Sequence, residues 1–462
     1  MVSPTVVIGA GPAGLTAAHE LAKNNRQFLL LEPSDKIGGL FHTEAYQGYC
    51  FQLGRYLAAE PCRIYYRDRL FNYPLSLTNA LKHLGPIDTA LSTFSSLKAR
   101  TTAILLPVLD PSLDPYPKTL ESWLLERFGG HLYRIFFETY IQKIWGISGG
   151  KLQSELLPFA PNTFEGKSSW KQYSSIAASM SATVQKNTRV LRIKHSNYRV
   201  SRIFVQKGDE ITAIASSHFI STLPLSDLIQ RLDPPPPPAI LQAANSLSHR
   251  SAITVPIIVN IKSLSLDCEL YIQSPDYKVS RIQNYKNDPQ SIHQGIDPNK
   301  TCLGMTYFCT QGDSLWSTAD ADLIHLAKQE LMSLGFVTDD ALIEQGTVIR
   351  QPNAYPIQHI SGVRAQALVQ DYLERFKNLQ TAGRSGLHTD YGLTHAMLTG
   401  SLAAKNILGE QHNLWALRSS TIVDKSLGQV LEQLLGQAME SDRSPDSLTA
   451  PAAQKTTTPL YF

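Results

Sequence analysis

The sequence lacks any apolar run long enough to cross a membrane. Its longest such run, residues 252–261, is interrupted by Pro256, whereas a membrane-spanning helix needs roughly 18 apolar residues. The N-terminus also lacks the basic segment that precedes the apolar core of a signal peptide. We therefore expect neither a transmembrane segment nor export, and we predict a cytoplasmic location.

Patterns typical of metal sites and disulfides are missing as well. The 5 cysteines are odd in number and include no CxxC pair, which argues against a disulfide framework and against a structural zinc site. The 13 histidines include no HExxH or similar spacing. We expect no bound metal.

An excess of one charge is also absent. The formal net charge is +3 over 462 residues, and Lys and Arg form no basic block. The sequence therefore predicts neither nucleic acid nor an anionic membrane as a partner. With 43% hydrophobic and 18% charged residues, the composition is typical of a globular protein. A small molecule is the expected partner, and the oligomeric state stays open.

A glycine motif is present close to the N-terminus. The β-branched run 5–8 predicts a strand, the period of 12–23 predicts a helix, and 27–31 predicts a second strand. The sequence GAGPAG at 9–14 lies between the first strand and the helix. In such a turn Gly9 permits the tight bend, Gly11 lets a pyrophosphate approach the backbone, and Gly14 permits close packing of helix and strand.

An acidic residue follows at the expected distance. Glu32 ends the second strand, about 18 residues beyond Gly14. A carboxylate at this point can accept hydrogen bonds from both hydroxyls of an adenosine ribose and repels a 2′-phosphate. The N-terminal unit is therefore predicted to bind a dinucleotide other than NADP.

Two further glycine motifs carry a resemblance to a known family. The Gly38-Gly39 pair follows the acidic residue, and a predicted strand ends in Gly383-Arg384 about ten residues before a predicted helix. Together with the first motif they resemble the amine oxidase and protoporphyrinogen oxidase superfamily of flavoproteins. The resemblance implies FAD as the cofactor. It implies these FAD-binding residues: Gly9, Gly11, Pro12, Ala13, Gly14, Glu32, Pro33, Gly38, Gly39, Leu40, Val190, Gly383, Arg384, Thr394, His395 and Ala396.

Other segments are similar to one branch of that superfamily, the bacterial proteins that resemble UDP-galactopyranose mutase or protoporphyrinogen oxidase. These segments are 63–66, 71–75, 141–147, 279–286 and 354–356. By this resemblance the candidates for the substrate cavity are Tyr73, Trp145, Arg281, Tyr307 and Tyr355. No residue is identified as a catalytic acid or base.

The sequence departs from the family on the substrate side. The Gly-Gly-His that relatives carry on a flavin-facing strand is missing from 51–56. The loop 386–391 lacks the Arg-Tyr pair that relatives have after Gly-Leu-His. We therefore expect the cofactor scaffold to be kept and the substrate face to be altered.

The predicted fold class is α/β, with a Rossmann-type FAD-binding domain that contains an inserted β-sheet and a helical substrate domain. The FAD-binding domain is predicted at 1–75, 184–232 and 378–440. Residues 76–183 are predicted as a helical substrate or cap region and 233–377 as a substrate domain with a mixed sheet. The proline run 233–238 is expected to be an extended surface connector, and 441–462 a disordered tail.

Three functions stay open at this point. The first is an FAD-dependent oxidoreductase that takes a hydride from an organic substrate. The second is a redox-neutral sugar-nucleotide mutase, which needs cations and tyrosines to hold a diphosphate; Arg281, Lys286 and Tyr355 are its candidates. The third is a flavoprotein whose active site has been lost.

Overall fold

The computed structural model describes residues 3–52, 62–73, 75, 77–109, 119–154, 167–264, 268–287, 297–390 and 392–417. The strands are β1 (Thr5–Ile8), β2 (Phe28–Leu31), β3 (Thr43–Tyr46), β4 (Tyr49–Gln52), β5 (Cys62–Tyr66), β6 (Arg69–Asn72), β7 (Val184–Gln185), β8 (Thr188–Ser196), β9 (Arg199–Lys207), β10 (Glu210–Ala215), β11 (Phe219–Ser221), β12 (Leu232–Asp233), β13 (His249–Val259), β14 (Glu269–Ile272), β15 (Arg281–Asn284), β16 (Thr301–Cys309), β17 (Ile343–Gly346), β18 (Ile349–Pro356) and β19 (Leu379–Thr381). The helices are α1 (Pro12–Lys23), α2 (Leu77–His83), α3 (Pro86–Leu109), α4 (Leu120–Leu132), α5 (Thr139–Trp145), α6 (Lys167–Met180), α7 (Leu225–Gln230), α8 (Pro238–Ser246), α9 (Asp320–Ser333), α10 (Gly362–Leu373), α11 (Gly383–Leu387) and α12 (Leu393–Leu408). The predicted tail 441–462 lies outside the described residues, and so do residues 53–56 of the segment that lacks the Gly-Gly-His of relatives.

One of the two largest sheets is wholly parallel. Its strand order is β19-β11-β1-β2-β7, and the central strands are buried on both faces, as helices on both sides of a parallel sheet require. Helices α1, α6 and α12 pack together beside it. Side chains from α7, α8, α10 and the β8–β9 hairpin pack against β1, β11 and β19. The predicted α/β class is confirmed.

The other large sheet is mixed. Its order is β17-β13-β16-β15-β14-β5-β6, with β18 also paired to β13, and all of its pairs are antiparallel except β5 with β14. Alternate residues of β13 and β16 serve different cores. Ile253 and Tyr307 face the core that includes α9, whereas Ala252 and Phe308 face the core that includes α2, α4 and α5.

Several strands and helices pack in a different part of the fold from the one in which the sequence analysis placed them. Strands β5 and β6, predicted within the FAD-binding segment 1–75, lie in the mixed sheet. Helices α8 and α10, predicted within 233–377, pack in the core of the parallel sheet. Helix α6, predicted within the cap 76–183, packs against α1 and α12. Parallel pairing of β5 with β14 joins residues about 200 apart in sequence, and no local pattern signals such a contact.

Two further segments change their backbone conformation along their length. Gly129 has a φ of +78° inside α4, and the chain continues through a π-helical turn before α5, so 120–145 is not one regular helix. In the proline run, Asp233 pairs in β12 and Pro238 begins α8. Proline is well suited to a first helical position because its missing N–H would have no partner there. Within the described residues, no helix has both the length and the apolarity that crossing a bilayer demands.

Candidate functional site

The first glycine turn is shaped partly by the protein's own packing. Gly9 has a φ of +98°, and a Cβ there would lie 2.1 Å from Thr222 Oγ1. A Cβ on Gly14 would lie 1.8 Å from the carbonyl oxygen of Gly9. These two glycines are required whether or not anything binds.

Gly11 is different, because the protein itself does not require a glycine there. Its φ of −75° suits any residue, and a Cβ would meet only Gly39 Cα, at 3.9 Å. Among the described residues, no side chain caps the first turn of α1. Open space beside Gly11, a helix start without a side-chain cap and the positive end of a helix dipole meet at this point, as a pyrophosphate site needs. The turn therefore fits a dinucleotide.

Glu32 is held beside this turn. Only 8% of the residue is exposed. One carboxylate oxygen accepts from the Ala10 amide at 2.9 Å, and the other accepts from the Ser34 amide at 3.1 Å and its hydroxyl at 2.8 Å. These bonds fix a carboxylate at the end of β2, where a ribose hydroxyl could be recognised. The neighbouring Pro33 is exposed.

The second glycine pair lies directly against the first turn. Gly38 and Gly39 have positive φ, and the Gly38 amide donates to the Ala10 carbonyl at 2.8 Å. A Cβ on Gly39 would lie 3.2 Å from Gly11 Cα. The Leu40 carbonyl accepts from Gln351 Nε2 of β18 at 3.3 Å, so this loop also touches the mixed sheet.

The third motif approaches from the C-terminal side. Gly383 has a φ of +81°, and its Cβ would lie 2.9 Å from Ala13 Cβ of α1. Its amide donates to Thr399 Oγ1 at 3.0 Å. Thr394, His395 and Ala396 are buried in the first turn of α12. All three glycine motifs thus meet around Gly11 and α1, whereas the side chain of the predicted Val190 lies in the core of the parallel sheet.

A buried group of tyrosines lies on the mixed sheet; we call Tyr73, Tyr140, Tyr271 and Tyr355 the tyrosine cluster. The rings of Tyr73 and Tyr271 stack at 4.4 Å, and Tyr140 meets Tyr271 edge-on at 6.0 Å. Burial raises the pKa of the Tyr140 and Tyr271 hydroxyls well above their ordinary value. Tyr140 and Tyr271 therefore carry neutral phenols at physiological pH.

An ion pair is buried beside this cluster. Glu269 and Arg281 approach to 3.1 Å, with 0% and 5% of their side chains exposed. The Tyr271 hydroxyl donates to the second carboxylate oxygen of Glu269 at 2.9 Å. A charge buried in this way is stabilised only by its partner and hydrogen bonds.

Arg384 connects the cluster with the glycine motifs. Its guanidinium lies 5.2 Å from the centre of the Tyr355 ring and 5.9 Å from that of Phe41, which follows the second glycine pair. Its Nε is 3.8 Å from Asp390 Oδ1. Burial raises the pKa of the Asp390 carboxyl, and Arg384 opposes this. The candidate site is the region where these two sets of residues meet.

The predicted substrate residues divide into three groups. Tyr73, Tyr355 and Trp145 pack in one core, and Arg281 lies near enough to Tyr73 to interact with its hydroxyl electrostatically. Tyr307 lies on the other face of the sheet, where its hydroxyl donates to Glu330 at 2.9 Å. The ammonium of Lys286 is used by backbone carbonyls, among them those of Pro298 and Lys300.

Sequence reasoning missed Glu269, Tyr140, Tyr271 and Asp390. A glutamate in an otherwise apolar strand was a usable signal for Glu269, since such a charge needs a partner. The partner could not be identified, because only the pairing of β14 with β15 brings Arg281 beside it.

The segment around Trp145 also has a structural role. The Lys143 ammonium donates to the carbonyls of Ile272, Ser274 and Val279 at 2.7–3.2 Å, and burial lowers its pKa to about 8. Arg250 Nε donates to the Ile144 carbonyl at 2.9 Å. These bonds attach the end of α5 to the mixed sheet and so fix the position of Trp145.

Two histidines near the site predict acid sensitivity. The rings of His249 and His388 meet edge-on at 4.9 Å, and burial lowers their pKa values to about 4 and about 3, although Asp227 favours the charged form of His249. In the unfolded chain both would titrate near 6.5. The unfolded state thus binds more protons as pH falls from about 6.5 towards 4, and the pair's contribution is lost over that interval.

We expect the urea midpoint of unfolding to fall between pH 7 and pH 4.5, and to fall less in the double variant His249→Gln/His388→Gln. The difference should be on the order of 5 kcal/mol at pH 4.5, about half from each histidine. His325→Gln, at an exposed position of α9, is the control. Parallel pH profiles for the wild type and the double variant would contradict the assignment.

Comparison with known proteins agrees with this fold. Residues 7–61 match the family model of an NAD(P)-binding Rossmann-like domain. The chain is similar to reduced UDP-galactopyranose mutase, with 16% identity, a TM-score of 0.75, and 91% of this chain and 97% of that chain covered. It is also similar to putrescine oxidase with bound putrescine, with 15% identity, a TM-score of 0.60, and 89% of this chain and 100% of that chain covered. A third similar structure is cyclohexylamine oxidase from Brevibacterium oxydans IH-35A, with 15% identity, a TM-score of 0.59, and 88% of this chain and 100% of that chain covered.

Proposed function

We propose, from the fold that the chain shares with a flavin mutase and amine oxidases, that it binds FAD and oxidises a small organic substrate. The observation that carries this proposal is the meeting at Arg384 of three glycine motifs with a buried aromatic cluster. A surface whose glycine turn fits a nucleotide thereby lies beside a buried aromatic wall, which supports an oxidoreductase with a bound cofactor.

On the cofactor side, the backbone around Gly11 and the first turn of α1 would hold the pyrophosphate. Glu32 would accept hydrogen bonds from the ribose. When bound, FAD supplies a two-electron acceptor for a hydride. The second and third glycine motifs would enclose it, since both lie against α1 or its N-terminal turn.

On the substrate side, the tyrosine cluster and Trp145 would exclude water and present an apolar surface with hydroxyl donors. The charges nearby cancel in pairs: Glu269 with Arg281, and Asp390 with Arg384. A site with this balance suits a substrate that carries no phosphate groups, because a diphosphate would need cations that are not already paired.

The mutase is the second candidate, and the higher TM-score to UDP-galactopyranose mutase favours it. Against it stand the charges: Arg281 is engaged by Glu269, and Lys286 by carbonyl groups. Binding of UDP to the reduced protein with no net oxidation of any substrate would support the mutase over the oxidoreductase.

The absorption spectrum of the purified protein tests the proposal. We expect an oxidised flavin band that bleaches on anaerobic reduction and returns in air, and FAD in the supernatant after denaturation. A panel of amines and other reduced carbon substrates should then bleach the band anaerobically. A colourless protein that takes up no added FAD would favour a flavoprotein fold that has lost its cofactor.

Replacing Tyr355 by phenylalanine probes the substrate side. It keeps the ring beside Arg384 and Phe308 but removes a hydroxyl donor. We expect bound flavin to be unchanged and turnover of the best substrate to fall by roughly tenfold, as loss of one buried hydrogen bond predicts. Tyr198→Phe, on a ring that packs beside Tyr372 in the other core, is the control. Equal activity of both variants would remove Tyr355 from the site.

A further inference from the structure

Helix α3 carries its large apolar side chains on the outside. Ile87, Leu91, Phe94 and Leu97 are 76%, 48%, 71% and 65% exposed. Their positions correspond to i, i+4, i+7 and i+10, so they form one continuous stripe along the helix. We call these four residues the outer stripe.

The inner side of the same helix is small and polar. Ser96 is buried and donates to the Phe128 carbonyl at 2.7 Å. The Ser95 hydroxyl accepts from the amide of His131 at 3.1 Å, and His131 pairs with Asp88 at 3.0 Å. A Cβ on Gly129 of α4 would lie 2.6 Å from the Ser96 amide nitrogen. Helices α3 and α4 therefore pack closely through small residues and hydrogen bonds.

A helix on a water-exposed surface normally buries its apolar stripe and exposes its polar side. Helix α3 does the reverse. Small residues at the helix contact with large apolar residues outside are typical of helices that face lipid. Exposing four such side chains to water is unfavourable, so the outer stripe is best explained by an apolar medium that covers it.

The charges around the stripe indicate which medium. Lys98 follows Phe94 by one turn on the same side of α3, and Lys82 and Arg69 are exposed beside the start of the helix, where Arg69 donates to the His83 carbonyl. Asp88 is the acidic residue of α3, and it is turned inward to His131. An apolar stripe with a basic margin matches the surface of an anionic bilayer.

We propose that the outer stripe of α3 docks on the surface of an anionic lipid bilayer, with the helix lying in the plane of the membrane. The local charge explains why the net charge of the whole chain gave no sign of such a partner. This proposal does not depend on the bound cofactor or on the reaction.

Flotation with lipid vesicles tests it. The full chain is mixed with vesicles of phosphatidylcholine, with or without phosphatidylglycerol, and separated on a density gradient. We expect wild-type protein to float with the anionic vesicles, and the variant Ile87→Gln/Phe94→Gln/Leu97→Gln to partition at least about tenfold less, because insertion of each apolar side chain contributes to binding. Lys98→Glu should weaken binding to the anionic vesicles alone.

A matched control replaces apolar residues that are exposed elsewhere. Ile211, Val363 and Leu368 are 59%, 45% and 48% exposed on β10 and α10, and their triple glutamine variant should float like the wild type. Wild-type protein that stays at the bottom of the gradient, or a control variant that loses binding equally, would overturn the proposal. So would a wild-type dimer that the stripe variant converts to a monomer without lipid, since a second copy would then cover the stripe.

Discussion

Protein with Gly11 replaced by valine should fold normally and be purified without its cofactor. A Cβ at this position meets no protein atom closer than 3.9 Å, and the φ of Gly11 is ordinary, so stability should change little. The same side chain would occupy the space that a pyrophosphate needs against the backbone. We expect FAD affinity to fall by at least about 100-fold, which corresponds to about 2.7 kcal/mol. The flavin absorbance of the purified protein, with its circular dichroism and melting curve, measures both effects.

Gly14 gives the opposite result and so serves as a contrast. Alanine at 14 would place its Cβ 1.8 Å from the Gly9 carbonyl oxygen, and the resulting overpacking should cost about 3 kcal/mol or more. Gly85→Val, where nothing lies within 4 Å of the Cβ position, should change neither colour nor stability. If Gly11→Val lost stability as Gly14→Ala does, Gly11 would be a packing glycine and the argument for a ligand there would fail. If it stayed yellow, the dinucleotide would lie elsewhere.

The difference between these glycines shows what the sequence could and could not tell. The strand, turn and helix around 9–14 are local, so their types and order predicted the N-terminal unit, which the structure confirms. The sequence alone did not separate a glycine that packing requires from one that only a ligand requires. That distinction depends on Thr222 and Gly39, which reach the turn through tertiary contacts.

The substrate side was less predictable for the same reason. Tyr73 and Arg281 belong to segments that resemble a family, but their neighbour Glu269 has no such motif. The three meet because β5 pairs in parallel with β14, and β14 pairs with β15. Long-range pairing of this kind leaves no periodic trace in the residues themselves.

Helix α3 shows a further limit of sequence patterns. The spacing of Ile87, Leu91 and Phe94 has the period of an amphipathic helix, and such a period is ordinarily taken as the buried side. This spacing predicts that the apolar residues share one side of the helix. It does not predict whether protein, lipid or water covers that side. Tertiary contacts such as those of Ser96 with Gly129 and Phe128 show that the other side faces the protein.

Replacing Arg281 by methionine should destabilise the protein strongly. The substitution leaves the carboxylate of Glu269 buried, with 0% of its side chain exposed and without its cationic partner, a situation that typically costs about 3–5 kcal/mol. Denaturant unfolding at pH 8 measures the loss. Lys300→Met breaks an ion pair with Glu344 in which 30% of each side chain is exposed, and it should cost less than about 1 kcal/mol.

The pH dependence of this loss separates an uncompensated charge from simple loss of packing. Without Arg281, burial should raise the pKa of Glu269 in the folded protein above the value of about 4.3 that it has in an unfolded chain. The folded variant would then bind a proton that the unfolded chain releases, so its stability should improve relative to wild type as pH falls from 8 to 5. Adding Glu269→Leu removes the buried carboxylate and should restore most of the stability at pH 8.

The double variant should bind flavin and fail to turn over substrate, because the polar edge of the tyrosine cluster is gone. A loss that is the same at both pH values, or that Glu269→Leu does not reverse, would show that Arg281 acts through packing. Full activity in the double variant would place substrate recognition outside this ion pair.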